Sequence, residues 1–183
     1  VRSPSSGPRD SNRFALDPAQ SQVGFTIRHL ASKVRGRVTL LDGAVEYEPR
    51  SPGVASVIAT MSVASIDTGN PIRDARLRSP EFFDAVAFPQ ITFTSRTAGR
   101  RGAGLEIPGN LTIRDTSVGV ILRVTKLDPK LASRDDARPV RVTARARIRR
   151  SDFGIGPGAV LEAGGILIGD EVSIELDLVL IRA

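Results

Sequence analysis

The sequence has no cysteine, no tryptophan, and only one histidine, one methionine and one tyrosine. Without cysteine there is no thiol catalysis, disulfide or iron–sulfur cluster, and one imidazole is too few for a zinc finger or a His-clustered metal site. No metal site and no cofactor is therefore expected. Aromatic residues make up 4% of the chain, too few for the exposed rings on which single-strand nucleic-acid binders stack bases. No apolar run approaches the ~18 residues of a membrane-spanning helix, so no integral membrane segment is expected. A secretory leader is also missing, which favours a cytoplasmic location unless a leader has been removed, in which case the chain is periplasmic or secreted.

What is present is an ordinary charge content with a basic excess: Lys+Arg 26 against Asp+Glu 20, or +6, in 183 residues. The excess is almost all arginine, the lysines being Lys33, Lys126 and Lys130. Net charge of this kind speaks to solubility and association rather than to fold, and with so few aromatics no nucleic-acid partner is expected. A homodimer is compatible with the composition. The length fits one domain. Residues 1–12 carry Ser, Pro, Gly and charge without apolar periodicity and are expected to form a disordered lead-in, with residues 13–183 as the single domain.

From Phe14 onward the apolar residues recur with period two, the mark of half-buried strands. Val23, Phe25, Ile27 and His29 share a face, as do Val34, Gly36, Val38 and Leu40, and Asp42-Gly43 is expected to turn the chain before a continuation toward Tyr47. Ala55, Val57, Ala59, Met61 and Val63 form a third face, followed by Ile91 and Phe93, by Leu105, Ile107, Leu111 and Ile113, and by Val118, Val120, Leu122 and Val124. Val140, Val142, Ala144, Ala146 and Ile148 alternate with Arg141, Thr143, Arg145, Arg147 and Arg149. The final series is Val172, Ile174, Leu176, Leu178 and Leu180. The arginine row reads as a solvated face that Glu175 and Asp177 of the last strand can pair across.

One stretch breaks the rhythm. Asn70-Pro71 and Ser79-Pro80-Glu81 are helix-start signals, an N-cap followed by a proline at the first helical position. They predict two short helical pieces between Asn70 and Asp84, with Ile72, Ala75, Leu77, Phe82 and Phe83 turned toward the core. About eight amphipathic strands with one helical insertion indicate an all-β protein, an eight-stranded antiparallel lipocalin-like barrel, because closure removes the sheet edges. Such an interior is just wide enough to be filled by side chains or to hold one small ligand. Gly36, Ala55, Ala59, Ala144 and Ala146 are small inward positions that leave lumen unfilled. The residues expected to line a ligand site are Phe25, Ile27, His29, Val38, Leu77, Phe82, Phe83, Phe93, Leu111, Ile113, Ala144 and Ala146.

Other motifs carry less. Gly154-Ile155-Gly156-Pro157-Gly158-Ala159 has the spacing of a dinucleotide fingerprint, but no βαβ repeat surrounds it, and it is expected to be a flexible loop. No Gly-x-Ser-x-Gly elbow is present, so no serine-hydrolase triad is expected around His29. His29 with Asp67 or Asp74 is the one arrangement from which an enzyme of isoprenoid or lipid metabolism would have to be built. No catalytic residue is assigned.

The segments FALDPAQSQVGFTIRHL, VRGRVTLLDGAV, SIDTGNPIRDARLRSPEFFDAVAFPQITFTS, IPGNLTIRD and RRSDFGIG occur in an order and spacing that resemble the YceI-like family of bacterial lipocalin-like, polyisoprenoid-binding proteins. The likeness runs from Phe14 to about Arg182. It implies an extended barrel around an apolar tunnel, whose partner is a long-chain isoprenoid or other amphiphilic lipid: a polyisoprenoid, an isoprenoid quinone or a fatty-acyl lipid. It implicates His29, Asp67, Arg73, Asp74, Leu77, Phe82, Phe83, Phe93, Arg150, Phe153 and Gly154. The chain departs from the family pattern at Arg76, where a histidine is common, and at Asp115, where glycine is common. The aromatic usual near the N-terminal Asp is here Phe14. The expected function is non-enzymatic binding, transport or storage of the lipid.

Overall fold

The computed structural model describes residues 12–29, 32–47, 56–101, 104–128, 138–156, 161–162 and 166–183. The expected lead-in therefore lies outside the described residues except for Asn12, which opens the first strand. The described residues form eleven strands in the order β1 (Asn12–Leu16), β2 (Gln22–His29), β3 (Ser32–Tyr47), β4 (Val57–Asp67), β5 (Gln90–Ser95), β6 (Gly99–Arg101), β7 (Gly104–Ile113), β8 (Thr116–Leu127), β9 (Val140–Arg149), β10 (Leu161–Glu162) and β11 (Ile166–Arg182), with one helix, α1 (Pro71–Arg78), between β4 and β5.

The strands pair antiparallel, and the path β11-β2-β3-β4-β5-β7-β8-β9 closes on itself because β9 also pairs with β11, from Glu171 opposite Arg149 to Leu180 opposite Val140. Closure gives the eight-stranded barrel that the alternation predicts. β1 lies between β11 and β3 just as β2 does, at their far ends: Leu16 faces Leu180, and Ala15 faces Ala44. The two short strands thus share one lane of the barrel. They are joined by a turn in which the Asp17 carboxylate accepts from the Ala19 N–H at 2.9 Å. β6 and β10 are short additions to β7 and β11.

Inward positions build one core, with Val63, Phe14, Ile66, Phe153 and Val140 almost fully buried. Burial of this kind stabilises by about 25 cal/mol per Å² of apolar surface, and it sets the phase of every strand. The outer face carries the arginine row: Arg141 meets Asp177 at 3.1 Å, Arg145 meets Glu175 at 3.5 Å and Arg147 meets Glu171 at 3.9 Å. These pairs are solvent-exposed and each contributes about 0.2–1 kcal/mol at most.

Two local expectations need correction. Asp42-Gly43 is not a turn, since β3 runs through it unbroken to Tyr47 with a bulge against β4 between Leu40 and Asp42. The bulge shifts the phase by one residue, so that Leu40 and Gly43 are both buried while Leu41 is exposed. Glycine is required there by close approach: a Cβ on Gly43 would lie 2.4 Å from Leu16 Cδ1 and 2.8 Å from the Ile58 carbonyl oxygen.

The insertion contains one helix rather than two. Asn70 caps α1 as expected, its side chain accepting from the Ile72 and Arg73 N–H groups at 3.1 Å, with Pro71 at the helix start. The Ser79-Pro80 signal yields only turns. The Phe82 and Asp84 N–H groups both donate to the Ser79 carbonyl, and Asp84 then adopts a left-handed φ of 48°, which stops propagation. The inward face of α1 also differs: Ile72 and Ala75 are exposed, whereas Asp74 is buried. Asp74 turns in because its carboxylate accepts from the Thr68 N–H at 3.0 Å and from the Thr68 hydroxyl, tying the helix to the end of β4.

A further expectation concerns Gly154 to Gly156. Arg150–Phe153 form a single 3-10 turn, and Phe153 and Ile155 are buried, so the chain as far as Gly156 packs into the barrel wall. Pro157 to Val160 lie outside the described residues.

Candidate ligand cavity

The barrel encloses a cavity of about 500 Å³, within the range of roughly 300–1,000 Å³ typical of small-molecule sites. Its walls come from inward positions of β1, β2, β3, β4, β5, β7, β8, β9 and β11, together with α1 and the segment after β9. Of the twelve residues expected to line it, Phe25, Ile27, Val38, Leu77, Phe82, Phe83, Phe93, Leu111 and Ile113 do so. Ala144 and Ala146 do not. Both are buried and inward, but they stand opposite Leu176 and Ile174 in the β9–β11 register. Those larger neighbours reach the lumen, and a methyl group does not extend past them. The backbone of His29 pairs with Ser32 at the end of β2, and its side chain lies outside the described residues. Ala55 lies outside them altogether.

The expectation that Gly36 contributes empty lumen is overturned by the ring of Phe25. A Cβ on Gly36 would lie 2.2 Å from Phe25 Cζ. Glycine on β3 therefore leaves room for an aromatic ring from β2, and the ring forms the cavity wall there.

The lining is apolar except at one end, where Thr68, Asn70, Arg73, Arg76 and Arg150 enter it. Arg73 is held by Thr68, its Nε donating to Oγ1 at 2.7 Å and its Nη2 to the carbonyl oxygen at 3.0 Å. Arg150 donates from Nε to the Gly169 carbonyl at 3.1 Å and from Nη1 to the Ile155 carbonyl at 3.0 Å. Arg76 lies over the Phe82 ring, 5.4 Å from its centroid, and faces Glu81 at 3.5 Å. Phe82 in turn packs close to Gly156, which Arg150 also abuts. The insertion and the turn after β9 thus meet around one buried ring, at the polar end of an otherwise greasy chamber.

Asp67 and Asp74 are not among the lining residues. Asp74 is bonded to Thr68, and Asp67 accepts from Arg37 Nη2 at 2.7 Å and from the Gly69 N–H at 2.8 Å. The Gly69 N–H and the Arg37 guanidinium hold the Asp67 carboxyl below its ordinary pKa. Both carboxylates are engaged in fixing the β4–α1 connection, away from the lumen. The arrangement brings no acid–base pair to the cavity among the described residues.

Several lining residues are not singled out by sequence reasoning. Ile174, Leu176 and Leu178 show as a period-two face of the last strand, but nothing in the pattern separates side chains that touch a lumen from those that pack against each other. Ile155 is hidden between two glycines. Arg76 stands out only as a departure from a family pattern.

A family model of the YceI-like domain matches residues 14–180. The chain belongs to the YceI-like family. Protein YceI of Salmonella newport is 36% identical to it over 138 residues, covering 73% of this chain and 70% of that protein. A UPF0312 protein of Staphylococcus aureus is 31% identical over 163 residues, covering 88% and 93%. Among solved structures, BcnA of Burkholderia cenocepacia matches with a TM-score of 0.73 at 26% identity, covering 90% of this chain and 98% of that one. A polyisoprenoid binding domain from Saccharophagus degradans matches with a TM-score of 0.67 at 17% identity, covering 93% and 98%, a likeness of fold. This YceI-like chain shares its lipocalin-like barrel with the two solved structures.

Proposed function

We propose that this YceI-like protein binds one long apolar amphiphile in its barrel cavity and carries or stores it without chemical change. The guest class is a polyisoprenoid, an isoprenoid quinone or a fatty-acyl lipid. The observation that carries the reading is the chamber of about 500 Å³, whose lining is apolar except where α1 and the Arg150 turn meet. An apolar wall favours an apolar guest, and a polar end favours a guest whose own polar group lies at one terminus. The polyisoprenoid binding domain of Saccharophagus degradans has the same fold, which supports the choice of an isoprenoid among apolar chains.

Each methylene buried contributes about 0.8 kcal/mol gross, so affinity should rise by up to about fourfold per added carbon until the chamber is full. Titration of purified, delipidated protein with a series of prenols of increasing length measures this directly. The expected result is saturable binding of one guest per chain, strengthening with length and then levelling. Weak binding that does not depend on length contradicts the proposal.

A further inference from the structure

At the end of the barrel where β4 finishes, Asp67 stands opposite Arg37 of β3, and the β2–β3 hairpin runs on past that pair until His29 faces Ser32. α1 follows β4, so the helix and the hairpin tip share this end. Ile27, Val34 and Ile72 line the cavity there, and Ile72 is 85% exposed, which puts it at the mouth. Val86, in the same insertion, is 95% exposed, and no other large hydrophobic among the described residues exceeds 52%. Alternation with Ile27 and Val34 turns Arg28, Lys33 and Arg35 to the outer face of the hairpin, where all three are exposed. Arg28 lies directly opposite Lys33, a like-charge pairing that costs stability. Among the described residues no side-chain hydrogen bond or ion pair engages any of the three. The outer face elsewhere answers its arginines with acids, Arg37 with Asp67 at 2.7 Å, Arg141 with Asp177 and Arg145 with Glu175.

We propose that this end of the barrel is a docking surface for an anionic lipid bilayer, with Ile72 and Val86 supplying the apolar contacts and Arg28, Lys33 and Arg35 the attraction to lipid phosphates. Its purpose rests on the amphiphile-binding reading, because a mouth set against a bilayer lets a guest pass into the chamber without crossing water; the surface itself is measurable with no guest present. Two apolar side chains alone hold a protein on a membrane only weakly, since binding scales with buried apolar area. Each cation close to an anionic leaflet tightens the association by about fivefold, so three of them decide the outcome. A rigid protein partner requires a continuous packed core. Separate apolar side chains near a cationic hairpin suit a fluid, charged interface better. The uncompensated pairing of Arg28 with Lys33 then has a reason, which the balanced rows of β9 and β11 do not need.

The test is co-sedimentation of the delipidated full chain with vesicles of phosphatidylcholine alone or with added phosphatidylglycerol, beside a geranylgeraniol titration of the same samples. The parent should bind the anionic vesicles about tenfold or more tighter than the neutral ones, with the difference shrinking as salt rises. Arg28→Gln with Lys33→Gln should weaken anionic-vesicle binding by about tenfold or more while geranylgeraniol affinity stays within about twofold. Arg141→Gln with Arg145→Gln removes the same charge from the paired row of β9 and should change vesicle binding by less than about twofold. Ile72→Ser and Val86→Ser should each weaken vesicle binding about threefold or more. A parent that does not prefer anionic vesicles overturns the docking surface and leaves chain binding standing. Equal losses in the two charge variants assign the binding to net charge and overturn it as well. So does a hairpin variant that loses geranylgeraniol in step with vesicles. Serine variants that bind like the parent overturn the bilayer as partner, in favour of a soluble polyanion such as nucleic acid. Vesicle docking with no geranylgeraniol binding removes the amphiphile reading and leaves the surface.

Discussion

Phe82 and Phe83 are adjacent yet stand in different surroundings. Phe82 is 8% exposed, with Arg76 over its ring and its carbonyl accepting from Arg114 Nη1, whereas Phe83 is only partly buried against the core. Both touch the cavity. Phe82→Ala removes a ring that several elements share and should lose roughly 3–5 kcal/mol of stability. Phe83→Ala should melt closer to the parent and chiefly weaken lipid binding. Thermal melts and a prenol titration on the two variants check this, and parent-like behaviour of both would mean that the insertion is no part of the wall. Gly36 makes a second residue-level case. Gly36→Ala should cost about 1–3 kcal/mol by driving the Phe25 ring off β3 and into the lumen, and Phe25→Leu in the same chain should recover much of the loss. Denaturant unfolding of the single and double variants measures the coupling. Asp67 gives a pH dependence. Its folded pKa is depressed below the free value of about 3.9, so its contribution is present above that value and is lost as pH falls through the folded pKa. The parent should accordingly exceed Asp67→Asn in Tm at neutral pH, and the gap should close as the solution is acidified below about pH 4. A gap that widens on acidification would have the sign wrong.

At the scale of elements, α1 depends on its first turn. The Asn70 side chain satisfies two N–H groups that otherwise have no helical partner, and Asn70→Ala should cost about 0.5–2 kcal/mol. Because α1 forms one side of the polar end, the same variant should release a bound prenol faster than the parent, as stopped-flow displacement would show. This helix is legible in the sequence because Asn-Pro is a local signal with a local cause. The Ser79-Pro80 signal looks equivalent and fails, since two N–H groups there share the Ser79 carbonyl and the left-handed Asp84 closes the turn. Strand faces are legible wherever one side is wet: the arginines of β9 and the acids of β11 announce the outside. β3 is misread at Asp42-Gly43 because a turn pair and a bulge with a glycine under Leu16 have the same composition, and only the partner strand tells them apart. Ala144 and Ala146 are misassigned for a related reason. Periodicity reports that a side chain points inward, and it does not report whether its neighbours are longer.

For the whole molecule, the closed barrel can be inferred from a count of amphipathic strands with no edge left over, and that inference needs no side-chain detail. The chamber is a different matter. Whether eight inward faces fill their own interior depends on summed volumes and on pairings such as Phe25 over Gly36, which no single strand reveals. The polar end is assembled from residues as far apart as Thr68 and Arg150. Native mass spectrometry of freshly purified protein, followed by organic extraction, asks whether this chamber holds one apolar chain. The expected result is a 1:1 adduct whose extract is a long prenyl or acyl lipid, or, for protein that emerges empty, uptake of one added prenyl lipid of about 20–40 carbons, long enough for methylene burial to outweigh the ordering cost. A homogeneous ligand-free mass that takes up none of these lipids would contradict it.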